Sequence, residues 1–196
     1  MTARAIPYPP GPFRIRIGRT VWGDAVCRLR EYGARDSEGI LFLGGLVADG
    51  DLVVTGLYAL GHAAQGDQVV VSPAEARWLL RTLRARDEKL IAQIHSHRVG
   101  QFHSAGDDRW ATSFHEGFVS IVVPRFGIAV EAPSECGIFE YRAGSFKPWT
   151  ESQVRARLRV LDDIVERDPE RRSINVGENG WATFVRKLKS IAARLH

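Results

Sequence analysis

The sequence predicts an α/β protein, a mixed β-sheet flanked by helices with a helical C-terminal extension. Three observations predict it. Apolar, β-branched runs of strand length recur along the chain. Segments with apolar residues three and four apart separate some of them. One such segment leads directly into a buried strand, making a strand-helix-strand unit. The 196 residues suffice for one substantial core, and 44% hydrophobic with 26% charged residues is an ordinary globular balance.

Residues 1–12 form a lead-in, since Pro7 to Pro12 holds four prolines and one glycine and can be neither helix nor strand interior. The main domain is expected over 13–150. Phe13-Arg-Ile-Arg-Ile17 alternates like a half-exposed strand. Thr20 to Ala34 is an amphipathic helix carrying Val21, Trp22, Ala25, Val26, Leu29 and Tyr32, with Gly33 at its end. Ile40 to Ala48 and Leu52 to Ala63 make a hairpin through Asp49-Gly-Asp51. Gln68 to Ser72 is a short strand feeding a capping box, Ser72-Pro-Ala-Glu75, with proline at the first helical position. The helix it opens turns Trp78, Leu79, Leu80 and Leu83 inward and runs to about Glu88.

A strand over Lys89 to Ile94 comes next, then a short helix over Ala105 to Glu116. Three further strands are expected at Phe118–Val123, Gly127–Ala132 and Cys136–Arg142, separated by proline turns, as an antiparallel meander. Residues 151–196 are the helical extension, docked on the core or a partner: a charged helix from Trp149 to about Arg167, then one over Trp181 to Leu195.

The chemistry concentrates in one stretch. In a strand, residues two apart share a side, so His95 and His97 project together while Ser96 points away. Ser104-Ala-Gly-Asp107 has the form of a helix start, which aims Asp107 back across the loop towards the imidazoles. Two imidazoles and a carboxylate fill three of the four positions of a tetrahedral zinc. Three protein ligands leave the fourth place to water, the catalytic arrangement. Singly, each residue has an ordinary explanation as a cap or a polar strand end; together they read as a metal site holding one zinc per chain. His103 is a possible fourth ligand or a rim group and stays outside the ligand set, Asp108 is the alternative to Asp107, and His62 reads as a turn or surface residue.

His-Ser-His followed by Ser-x-x-Asp resembles the JAMM motif of the JAB/MPN zinc metalloprotease family, specifically its prokaryotic deubiquitinase-like members, over roughly residues 12 to 150. The resemblance implies an MPN-like, cytidine-deaminase-like fold and cleavage of isopeptide or peptide bonds after the C-terminus of a ubiquitin-like protein. It also implies His95, His97 and Asp107 as zinc ligands, Ser104 as donor to the oxyanion, and an upstream acid as general base. Asp36-Ser-Glu38-Gly-Ile-Leu-Phe-Leu-Gly-Gly45 supplies two candidates for that acid. Glu38 is favoured for its spacing to Gly45 and its reach, with Asp36 as the rival. The chain departs from the family where Arg98 replaces the usual proline and where the loop to Ser104 is one residue shorter.

A non-catalytic MPN scaffold is the alternative function. Residues 151–196 carry 10 Lys/Arg against 7 Asp/Glu, a bias that a solvated helical face explains without nucleic acid. The expected partners are a ubiquitin-like protein or its conjugates, with conjugation-pathway proteins beside them. No apolar run approaches membrane-spanning length and the first residues lack the apolar core of a signal peptide, so the expectation is a cytoplasmic protein without a membrane partner. Cys27 and Cys136 are expected as reduced core thiols.

Overall fold

The computed structural model describes residues 13–60, 64–65, 68–69, 71–104, 106–107, 111, 113–162 and 174–175, of which 64–65, 68–69 and 174–175 are described as backbone alone. The chain runs β1 (Ile15–Gly18), α1 (Arg19–Gly33), β2 (Ile40–Ala48), β3 (Asp51–Ala59), β4 (Ala64–Gln65), β5 (Gln68–Val69), α2 (Pro73–Ala85) and β6 (Lys89–Ser96). It continues through β7 (Val119–Val123), β8 (Gly137–Arg142), β9 (Ser145–Pro148), α3 (Glu151–Arg157), β10 (Leu158–Leu161) and β11 (Ile174–Asn175). The main sheet has the order β10-β1-β3-β2-β6-β7-β8-β9, with β11 also on β3, while β4 and β5 pair only with each other. It is mixed: β6 is antiparallel to β2 and parallel to β7, and β7, β8 and β9 form an antiparallel meander.

Alternation along β2 sorts the core into two layers. Leu41 and Leu43 face α1, packing with Trp22, Ala25, Val26 and Leu29, while Ile40 and Phe42 face α2 and its Leu79 and Leu83. The β2–β3 hairpin closes through Asp49 and Gly50, both at positive φ, the backbone that an Asp-Gly two-residue turn supplies. The Ser72/Glu75 capping box and Pro73 open α2 as expected. None of the described helices is long and apolar enough to cross a membrane.

Several expectations are corrected. The segment 127–132 is not a strand. Pro124–Gly127 is a 3-10 turn with Arg125 and Phe126 at positive φ, and the stretch from Gly127 to Glu131 lies over α1, where Arg30 Nε donates to Gly127 O (2.8 Å) and Trp22 Nε1 to Glu131 O (2.9 Å). The meander's third strand is instead β9. The helix expected over 105–116 is present at Gly106 and Asp107, but Ala111, Ser113 and Phe114 are non-helical. Leu80 is exposed, because the inward stripe of α2 runs through Trp78, Leu79, Thr82 and Leu83 and leaves it on the outer side. The helix beginning after Trp149 stops at Arg157 rather than Arg167, and Leu158–Leu161 becomes a strand parallel to β1, since its apolar residues complete that edge. The predicted helix over 181–195 lies outside the described residues. Cys136 is buried, with its thiol pushed up to about 12 by burial and by Glu135, whereas Cys27 is exposed on α1 and so is no core thiol.

Candidate metal centre

Strand β6 is inserted between β2 and β7 with His95 opposite Ile40 on one side and Val122 on the other. Directly paired residues share a face, so His95 lies on the α2 side of the sheet. The backbone of His97 is pinned beyond the strand end: its N–H donates to Val123 O and its carbonyl accepts from Phe126 N–H, both at 3.0 Å. Across the loop, Ser104 and Asp107 form the predicted box, with Ser104 N–H donating to Asp107 Oδ2 (2.7 Å) and Asp107 N–H to Ser104 Oγ (3.1 Å).

This brings Asp107 onto both imidazoles. Its Oδ1 lies 3.3 Å from His95 Nε2 and its Oδ2 3.3 Å from His97 Nε2, with the three side chains 7%, 7% and 18% exposed. One ligand atom from each residue falls within 4.8 Å of the others, and no other group of three or more metal-type side chains converges so among the described residues. His95 Nδ1 is buried without a hydrogen-bond partner, and its Nε2 has only the Asp107 carboxylate beside it, outside good hydrogen-bond geometry. Such orphans are costly unless another group satisfies them, and an imidazole-imidazole-carboxylate donor set fits a divalent metal.

The charges agree. Burial alone would raise the Asp107 carboxyl, but the two imidazoles and the Ser104 N–H outweigh it and hold it far below the usual carboxylate range. Burial alone would lower the His97 imidazole, yet Asp107 and Glu38 hold it above its ordinary value. The cluster therefore attracts a positive charge, a proton or a metal cation.

Glu38 and Asp36 are separated by the structure. Glu38 Oε1 accepts from the backbone N–H of Arg98 at 3.3 Å, next to His97, and half-burial pushes its carboxyl up against the pull of His97, that N–H and His95. Asp36 is exposed at positive φ and its carboxyl is held low by the Arg98 guanidinium, whose Nη1 lies 2.6 Å from Oδ1. Ser96 has a role that strand alternation did not reveal. Fully buried, its Oγ accepts from Gly39 N–H and its own N–H donates to Gly39 O, both at 3.0 Å, so it clamps the residue following Glu38. A serine between two site histidines was the only sequence signal for it.

His103 is not in the cluster: its Nε2 lies 3.1 Å from Ser120 Oγ and its ring is packed by Phe139 and Phe146. His62 and Asp108 lie outside the described residues.

No family model matches the chain. Its structure is similar to the solution structure of protein DSY2949 from Desulfitobacterium hafniense, with a TM-score of 0.59 and 16% identity over 78% of this chain and 97% of that one, which shows a shared fold. Its sequence is 35% identical over 137 residues to the probable metalloprotease y4jG of Sinorhizobium fredii, spanning 68% of this chain and 83% of that protein. With a His-His-Asp cluster suited to a metal and that extent of identity, the chain belongs to the same family as this probable metalloprotease.

Proposed function

We propose that the protein is a zinc peptidase of the JAB/MPN type, with that family's fold, which cleaves the peptide or isopeptide bond after the C-terminus of a ubiquitin-like protein in a bacterial conjugation or precursor-processing pathway. The observation that carries this reading is the convergence of His95, His97 and Asp107 with Glu38 held beside them by the Arg98 N–H.

His95, His97 and Asp107 would hold the zinc. Bound there, it supplies a Lewis acid that polarises the scissile carbonyl and lowers the pKa of water towards ~7. Glu38 acts as the general base: it accepts the proton of the attacking water and delivers it to the leaving amine. Its half-burial suits that task, because a raised carboxyl pKa makes it the better proton acceptor. Ser104 Oγ already accepts from the Asp107 N–H, which leaves its own proton for the oxyanion that forms at the carbonyl. Asp107 orients both imidazoles and supplies the negative charge that a cation requires.

Incubation of the purified protein with ubiquitin-like fusions, with and without a chelator, tests the reading. Cleavage after the ubiquitin-like C-terminus that stops on chelation and returns with zinc is the expected result. A protein that takes up zinc but cleaves none of the fusions would point to the scaffold alternative.

A further inference from the structure

We infer that His103 is a positioning residue, which hangs the Ser104–Asp107 turn from the sheet and so sets the distance of Asp107 from the two imidazoles. The inference rests on the zinc-site reading above. His103 directly precedes Ser104, whose N–H and hydroxyl lock Asp107 in place. Whatever fixes residue 103 therefore fixes the origin of the third ligand.

The anchor is built into the sheet. Gln93 lies two residues before His95 on β6, hence on the same face, and its register partner on β7 is Ser120. Both side chains are buried, and Gln93 Nε2 donates to Ser120 Oγ at 3.1 Å. The proton of Ser120 can then be donated to His103 Nε2, 3.1 Å away. Register continues the anchor to β8, where Phe139 pairs with Ser120 and packs on the His103 ring at 4.9 Å between centroids, with Phe146 of β9 at 4.5 Å.

Two pairs further along, Gly137 lies opposite Val122, the parallel partner of His95. A Cβ at Gly137 would overlap the carbonyl of Gln101, so the loop from His97 to Ser104 lies directly on β8 there. The same three strands thus hold His95 and, two residues away, the group that suspends Asp107. His103 and His95 lie edge to face, 6.0 Å apart between ring centroids.

The test measures the zinc dissociation constant of the full chain by competition with a chromophoric chelator, for the wild type, His103→Ala, His103→Gln, Ser120→Ala and the His103→Ala/Ser120→Ala double variant. Losing a partner that orients metal ligands typically weakens metal affinity about 10- to 100-fold. His103→Ala should fall in that range while its metal-free melting curve stays close to that of the metal-free wild type. His103→Gln, whose amide can reach Ser120, should recover most of the affinity. The double variant should bind no more weakly than the weaker single variant, because both changes remove one link. If His103→Ala does not fold, Ser120→Ala alone should still show the weakened affinity. Wild-type affinity in His103→Ala or in Ser120→Ala, or losses that add in the double variant, would overturn the positioning role and leave the zinc reading standing. A wild type that binds no zinc would overturn both.

Discussion

At the scale of single residues, the site separates acids by what holds them. Arg98 serves both upstream candidates, with its guanidinium drawing Asp36 to the surface and its backbone N–H directing Glu38 towards His97. Glu38→Gln should therefore keep the fold and the metal but lower kcat by about 10²- to 10⁴-fold, the usual contribution of a general base. Asp36→Asn should be mild. Exchange of these two effects in steady-state kinetics would make Asp36 the base. Metal content gives a second check, since His95→Ala and Asp107→Ala should each lose the ion. Its pH dependence has a definite sign: His97 holds its proton to a higher pH than an ordinary imidazole, and protons compete with the metal. Uptake followed by chelator competition should thus weaken as pH falls through neutrality, and constant affinity down to pH 5 would contradict the assignment of His97.

Among elements, the contact that matters most is the loop following β6 against β8. Gly137 is required there by close approach, since any side chain would collide with the backbone of Gln101. Gly137→Ala should displace the loop that leads to Ser104 and lower metal affinity while leaving the distant β2–β3 hairpin intact. Hydrogen exchange, slowed as in the wild type along β2 and β3 but faster along 98–104, would show that pattern. Helix α2 offers a contrast: its Ser72/Glu75 box is remote in sequence from the ligands, and Ser72→Ala should cost about 1 kcal/mol of stability, the ordinary value of a cap. Denaturant unfolding measures that cost.

At the scale of the whole molecule, a buried charge network outside the His95–His97–Asp107 cluster ties the two ends of the described domain together. Glu140 on β8 accepts from Trp149 Nε1 (2.7 Å) and from Arg157 Nη1 (2.8 Å) and Nη2 (3.2 Å), while Arg157 Nε donates to Phe13 O at 3.0 Å. The Arg157 guanidinium also lies over the Trp149 and Phe13 rings. Removing Arg157 takes away the buried cation of this pair and leaves Glu140 with Trp149 Nε1 and the Arg142 guanidinium at 3.3 Å, so the loss should approach the about 3–5 kcal/mol of a broken buried pair without exceeding it. Burial alone would raise the Glu140 carboxyl, but Arg157 and Trp149 hold it below its ordinary value. A depressed folded pKa stabilises the fold above the unfolded carboxyl value, and that contribution disappears as pH falls through the folded value. Denaturant midpoints should accordingly drop in acid, below about pH 4.3, and Glu140→Gln should flatten that drop. Removing the metal should leave this network and both core layers standing, so the metal-free protein should still unfold cooperatively.

The sequence by itself determined the mixed α/β class, the strand that carries His95 and leads to His97, the Asp-Gly hairpin, the Ser72 cap and the Ser104–Asp107 box. Each comes from periodicity or from side chains acting within a few residues of themselves. Only tertiary structure decided the rest. The stretch 127–132 is apolar enough for a strand, but covering α1 satisfied it better; Leu158–Leu161 continues a helical pattern, but the open edge of β1 captured it. Local pattern cannot choose between two burial sites that become available only once the sheet exists. For the same reason neither the Ser96 clamp on Gly39 nor the contact of His103 with Ser120 was legible: their partners lie 57 and 17 residues away, and it takes the pairing of β2 with β6 and the course of the loop across β7 and β8 to bring them within 3.1 Å.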